Sequence, residues 1–188
     1  MTTARRYTSA DLEHLPDVEG TRYEIIDGEL HVSTSPRWEH QYACSGVVAA
    51  LHAWDNDAKI GVTLIAPGLV FTSDDDVVPD VVWVSRARLS SMLDASGHLR
   101  AAPDLVVEVL SPGAKNERRD RRDKLALYSR QGVQEYWIVD WRRQVVEVYR
   151  REKGTLRLAA TPGSQDRLTS PLLPGFAWPV ADLWTPPL

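Results

Sequence analysis

The sequence predicts a mixed α/β (α+β) fold, a central β-sheet with helices packed on it. Three observations predict it. A DG pair joins two short β-type runs, two valine-rich runs are the most apolar in the chain, and two helical-period segments alternate with the strands.

The chain has 188 residues, which fits one domain over 1–188, with 1–20 and 174–188 peripheral to it. Its 43% hydrophobic and 26% charged content is that of an ordinary soluble globule. No apolar run approaches the ~20 residues of a bilayer crossing. The opening MTTARRYTSADLEHLP lacks the apolar middle of a secretory signal, so a cytoplasmic protein is expected. Cys44 is the single cysteine; it supports neither an internal disulfide nor a cysteine-rich zinc site, and it reads as a small buried apolar residue. The net charge of −4 allows DNA binding only through a local basic patch.

The elements follow in order. Ser9–Leu15 reads as a short helix capped by Ser9. Tyr23–Ile26 and Glu29–Val32 flank Asp27-Gly28, a strong hairpin signal. After Ser35-Pro36 a helix runs from Trp38 to Asn56, with the stripe Ala43, Val47, Ala50, Leu51 and Trp54. Val62–Ala66 and Leu69–Phe71 read as strands turned by Pro67-Gly68. Asp74-Asp75-Asp76 reads as a solvated turn, with a cation site as the rival reading. Val77–Val84 and Leu105–Leu110 have the valine content of strands covered on both faces, and Arg86–Leu93 is a short helix between them. A helix from Asn116 to Gln131 stops at Gly132. Glu135–Asp140 and Gln144–Arg150 form a hairpin through Trp141-Arg142-Arg143, and Thr155–Ala160 is a further strand. The end, with Pro171, Pro174, Pro179 and Pro186-Pro187, is irregular and held by Phe176, Trp178 and Trp184.

Two carboxylates do not belong in this pattern. A charge inside an apolar strand is costly unless it is paired or binds a metal. Asp80 shares a face with Val78, Val82 and Val84, and Glu108 with Val106 and Leu110. If their strands are neighbours in register, the two acids stand roughly 5 Å apart at Cβ. A divalent cation relieves their repulsion, and oxygen-only ligands suit Mg²⁺ or Mn²⁺. The plainer reading makes Asp80 a strand start after a proline and gives Glu108 an arginine partner. Asp104 repeats the PD dipeptide but lies roughly 13 Å along the strand from Glu108, too far to share an ion; it reads as the start of its strand. On the next helix, Asp120, Lys124, Leu127, Tyr128 and Gln131 form a stripe facing partly inward. That helix can lie back across the sheet and deliver Lys124 to the acids. Alternatively, the lysine stem covers apolar surface and its ammonium reaches solvent.

Pro79-Asp80, Pro103-Asp104-Leu105-Val106-Val107-Glu108-Val109-Leu110-Ser111-Pro112, Asp123-Lys124-Leu125-Ala126-Leu127-Tyr128 and Gly132-Val133-Gln134-Glu135-Tyr136-Trp137-Ile138-Val139-Asp140 together resemble the bacterial Uma-type restriction endonucleases of the PD-(D/E)xK superfamily. The Tyr23–Leu30 hairpin and the helix opening with His40 share the resemblance, which spans about Tyr23 to Phe176. It implies a restriction endonuclease-like core, a mixed central sheet flanked by helices. It carries Asp80 onto the superfamily's metal-binding aspartate and Glu108 onto the acid of (D/E)xK. Two residues after Glu108 stands Leu110 rather than lysine, so Lys124 acts as a migrated replacement. By the same resemblance Glu24 completes the acidic cluster and His40 faces the cleft; the plainer readings are a surface carboxylate and a helix-start histidine.

The expected activity is an endodeoxyribonuclease dependent on Mg²⁺ (or Mn²⁺). Asp80, Glu108 and the carbonyl of Val109 hold the metal, and Lys124 positions water or offsets transition-state charge. Lys115, Arg118, Arg119, Arg121 and Arg122 either supply DNA contacts or form a solvated helix face, and a homodimer is expected by analogy with two-cut enzymes. The rival is a nuclease-fold binding or assembly module that does not cleave, favoured by Leu110, the net acidity, and the load of seven tryptophans and six tyrosines. A small-molecule hydrolase using Cys44 or a serine with His40 has no supporting spacing.

Overall fold

Asp27 and Gly28 take positive φ, 50° and 73°, and close a two-residue turn between β1 (Thr21–Ile26) and β2 (Glu29–Thr34). This is the hairpin that a DG pair favours, because its backbone twist matches that of the flanking strands. The computed structural model describes residues 5–184. Upstream, α1 (Ser9–Leu12) is shorter than expected and its N-cap is Thr8, whose amide donates to Asp11 Oδ2 at 2.8 Å.

The chain then alternates between two sheets. After α2 (Trp38–Ala58) come β3 (Gly61–Ile65), β4 (Leu69–Thr72), β5 (Asp75–Val77) and β6 (Val81–Ser85). Pro67-Gly68 does not close a hairpin: β3 pairs with β6 and β4 with β5, in separate sheets. The local turn signal was real, but burial of β3 against apolar β6 decides the pairing. The run Val77–Val84 is likewise two strands. Pro79 has no N–H to continue a ladder, so the run breaks there, and Asp80 stands just before β6 rather than inside a strand. In the aspartate run, Asp74 lies in the turn, whereas Asp75 is buried in β5 and accepts from Asp27 N (2.8 Å) and Arg130 (2.6 Å).

After α3 (Arg86–Met92), β7 (Leu105–Val109) runs parallel to β8 (Glu135–Asp140). A parallel pair needs a crossover, supplied by α4 (Ala114–Arg118), a π-helical turn (Arg119–Lys124) and α5 (Leu125–Gln131), which stops at Gly132 with φ 95°. β9 (Val145–Glu152) and β10 (Thr155–Ala160) complete a six-stranded mixed sheet in the order β10-β9-β8-β7-β6-β3. The smaller sheet has the order β2-β1-β5-β4.

Alternation divides the large sheet between two cores. Val81, Trp83, Val107 and Trp137 pack toward α2 and the C-terminal segment; Val82, Val84, Val106 and Ile138 pack toward α5 and the small sheet. The C-terminal segment is more regular than expected, with β11 (Arg167–Thr169) paired to β12 (Ala177–Pro179) and a 3₁₀ turn at Val180–Leu183. Phe176 and Trp184 join the core and Trp178 packs at its edge, while Pro186-Pro187 lies outside the described residues.

Gly61 opens β3 directly against the Trp83 ring, and a Cβ there would run into the indole. Gly61→Ala is therefore expected to cost about 1–3 kcal/mol. The loss should appear as a lower urea midpoint with unchanged slope; a wild-type midpoint would contradict this packing.

Candidate active site

The point where the chain leaves the small sheet for the large one carries the site. Val78-Pro79-Asp80 links β5 to β6, and β6 pairs with β7 in the register Val81↔Val107. One step further, that register sets Asp80 opposite Glu108. The Val109 amide donates to Asp80 Oδ2 at 2.8 Å and ties the aspartate to β7. The two acids thus meet across neighbouring strands, as their positions in the sequence suggested.

Glu108 points to the α5 face, where the crossover helix lies over it. Lys124 closes the π-helical turn and is only 1% exposed. Its Nζ donates to Glu108 Oε1 and to Glu24 Oε1, both at 2.8 Å. The alternative of an ammonium reaching solvent is excluded. Tyr128, four residues on, donates its hydroxyl to Glu108 Oε1 at 2.7 Å. Glu24 arrives from β1 in the small sheet, where the Val78 amide donates to its Oε1 at 2.9 Å. Inserted π turns occur often at functional sites, and here one carries both Asp120 and Lys124 inward.

His40, in the first turn of α2, approaches from the other side. Its Nε2 lies 3.2 Å from Asp80 Oδ2, and Arg22 stands 3.6 Å from Asp80 Oδ1. Arg119 is turned inward, bonding Asp120 Oδ1 at 2.9 Å and lying 3.8 Å from Glu24 Oε2. Asp80, Glu108, Lys124, Glu24, His40 and Arg119 line a cleft of about 260 Å³.

Burial and charge set the protonation states. Burial raises the Glu108 carboxyl to about 8, with the charges of Asp80, Asp120 and Glu24 adding to the effect of burial and Lys124 opposing it. Glu24 is just as buried, yet it is held below the usual carboxylate range: burial opposes this, but Lys124, Arg119 and the Val78 amide all favour its charge. Asp80 is also lowered, since His40, Lys124 and the Val109 amide overcome its burial. Burial raises Asp120, and its Oδ2 has no hydrogen-bond partner. His40 is raised, because the bond to Asp80 and the surrounding acids outweigh burial.

The residues fit a hard divalent cation. Four carboxyls face fewer fully buried cations, and this excess of negative charge adds to the burial that raises Glu108. Among the described residues, Glu108 Oε2 takes no hydrogen bond, while Asp80 Oδ1 has only the longer Arg22 contact. These are oxygen donors at a cleft, the set that Mg²⁺ and Mn²⁺ prefer.

The basic run divides into two groups. Lys115, Arg118 and Arg122 are exposed near the cleft helix. Arg119 is not on that outer surface, and Arg121 is committed to Glu117, Asp140 and Glu147 at 2.6–3.1 Å. Asp120 and Glu117 are local partners, but Glu24, Asp140 and Glu147 lie on other elements, which local sequence does not reveal. Asp104 caps β7 as expected, accepting from Ser85 N and Arg88 far from the acids. Sequence reasoning missed Arg22, although it shares a face of β1 with Glu24, and it placed Tyr128 on an inward stripe without its bond to Glu108.

A mixed sheet flanked by helices, with one acid on β7, one at the entry to the adjacent β6 and a lysine delivered by the crossover helix, defines a restriction endonuclease-like protein. Residues 9–181 match the Uma2 family, described as "Putative restriction endonuclease", and the chain belongs to that family. A crystal structure from Anabaena variabilis, described as a "putative nuclease belonging to DUF820", is similar in fold, with TM-score 0.73 and 21% identity over 94% of this chain and 96% of that one. Among curated proteins, none matches the chain.

Two outcomes follow. Lys124→Ala leaves Glu24 and Glu108 buried without their shared ammonium and should cost about 3–5 kcal/mol in urea denaturation; a loss below about 1 kcal/mol would refute the pairing's importance. Glu108 rises from 4.5 to about 8 on folding, so its contribution to stability is complete below 4.5 and is lost as pH rises through about 8. Metal-free wild type should therefore lose stability more steeply over this window than Glu108→Gln; equal slopes would contradict the shift.

Proposed function

We propose that this protein is a metal-dependent endonuclease hydrolysing DNA phosphodiester bonds at the Asp80–Glu108–Lys124 cleft. The observation that carries the reading is a buried lysine bridging two buried glutamates, beside an aspartate at the entry to the neighbouring strand. Asp80 and Glu108, with the Val109 carbonyl, would hold Mg²⁺ or Mn²⁺. The ion would supply charge stabilisation for the phosphate oxygens and a bound water of lowered pKa.

The chain's own groups do the positioning. Lys124 is held from two sides, so its charge faces the cleft without reorganisation, and such preorganisation is the chief source of electrostatic catalysis. It offsets charge gathering on the phosphate and orients the attacking water. Glu24 positions Lys124, and His40 positions Asp80 through their 3.2 Å contact. Lys115, Arg118 and Arg122 would follow the DNA backbone, and Arg119 would meet phosphate inside the cleft.

The second reading is a nuclease-fold module that binds without cleaving. It draws on Leu110 in place of the motif lysine, and on Glu108 Oε1 already engaged by Lys124 and Tyr128. Plasmid DNA incubated with the protein and Mg²⁺ or Mn²⁺ separates the two. Nicking or linearisation that falls at least about 100-fold in both Asp80→Asn and Glu108→Gln supports the enzyme. Binding without cleavage by wild type, or equal cleavage by both variants, rejects it.

A further inference from the structure

The face of α2 opposite solvent adds a donor that the nuclease reading does not use, the Cys44 thiol, to two that it does, His40 and Asp80. His40 and Cys44 stand one helical turn apart and so share a face. Cys44 Sγ lies 3.6 Å from His40 Nδ1, and Asp80 Oδ2 lies 3.2 Å from His40 Nε2. One ring nitrogen, the thiol sulfur and a carboxylate oxygen all lie within 4.8 Å of one another.

We propose that His40, Cys44 and Asp80 form a binding site for a thiophilic divalent cation of the Zn²⁺ class, distinct from the oxygen-only set at Asp80 and Glu108. The donor chemistry makes the distinction. A nitrogen, a sulfur and an oxygen suit zinc, whereas Mg²⁺ takes oxygen ligands. Zinc bonds of about 2.0–2.3 Å at tetrahedral angles put donors about 3.3–3.6 Å apart, so side-chain rotations of roughly 1 Å close the set. His40 and Asp80 line the cleft, which gives the ion a path in and leaves the fourth position to water.

Burial, with the charges of Asp80 and Glu108, keeps the Cys44 thiol protonated in the free protein. Uptake therefore exchanges the S–H bond for a sulfur–metal bond, and the proton leaves to solvent through the cleft. Because Asp80 belongs to both sets, a thiophilic ion also competes with Mg²⁺. That consequence rests on the nuclease reading; the site itself does not.

Co²⁺ titrated into the reduced full chain tests the site by its spectrum rather than by cleavage. Cys44 is the single cysteine, so any thiolate-to-cobalt charge-transfer band reports it. A saturable band at one Co²⁺ per chain is expected, displaced by Zn²⁺ and absent in Cys44→Ala. His40→Asn should weaken binding by at least about tenfold, the scale on which a zinc site responds to loss of supporting groups. Glu108→Gln, which removes the oxygen-only set, should keep the band. No band in wild type at saturating Co²⁺ overturns the site, as does a band unchanged in both His40→Asn and Asp80→Asn; loss of the band in Glu108→Gln overturns its independence. A band in a protein that cleaves no DNA leaves this site standing and rejects the nuclease reading alone.

Discussion

Lys124 donates to Glu24 and Glu108 at 2.8 Å each while almost wholly removed from water, and the rest of the molecule is arranged around that contact. Taking an ammonium and two carboxylates out of solvent costs several kcal/mol per ion, returned only where geometry is good and the remaining atoms are bonded. Here Tyr128 and the Val78 amide supply those further bonds. The three groups come from β1 of the small sheet, β7 of the large sheet and the crossover helix. The bridge therefore fixes the two sheets relative to each other as much as it builds a site.

Asp80 is held by a different set of partners: a backbone amide from β7, His40 from α2 and the more distant Arg22. The contrast between the two central acids follows. Asp80 gains enough partners to keep its charge despite burial, while Glu108 shares one ammonium with Glu24 and sits among other acids, so burial wins. A site with one settled carboxylate and one awaiting charge compensation is suited to a divalent cation. The same crowding puts His40 and Cys44 beside Asp80, where softer donors meet the hard ones.

Much of this was legible in the chain. The DG hairpin, the long helix, the valine-rich strand Leu105–Val109 and the crossover helix with its glycine stop are local patterns, and each appeared within a few residues of its expected bounds, whereas the run Val77–Val84 split at Pro79. Asp80, Glu108 and Lys124 stood out because each breaks an apolar pattern. Most of what failed was non-local. Pro67-Gly68 looks like a hairpin turn, yet its flanking strands join different sheets; Asp75 looks solvated until Arg130 and the Asp27 amide close over it.

The sequence by itself determined which segments become strands and helices and which acids were out of place, because periodicity and turn chemistry act over a few residues. Only the tertiary structure decided who compensates whom. Glu24 for Lys124, His40 for Asp80 and Asp140 for Arg121 are pairs between elements far apart in the chain. Buried charge must find a partner somewhere, and that partner is set by how sheets and helices pack, which no local pattern encodes.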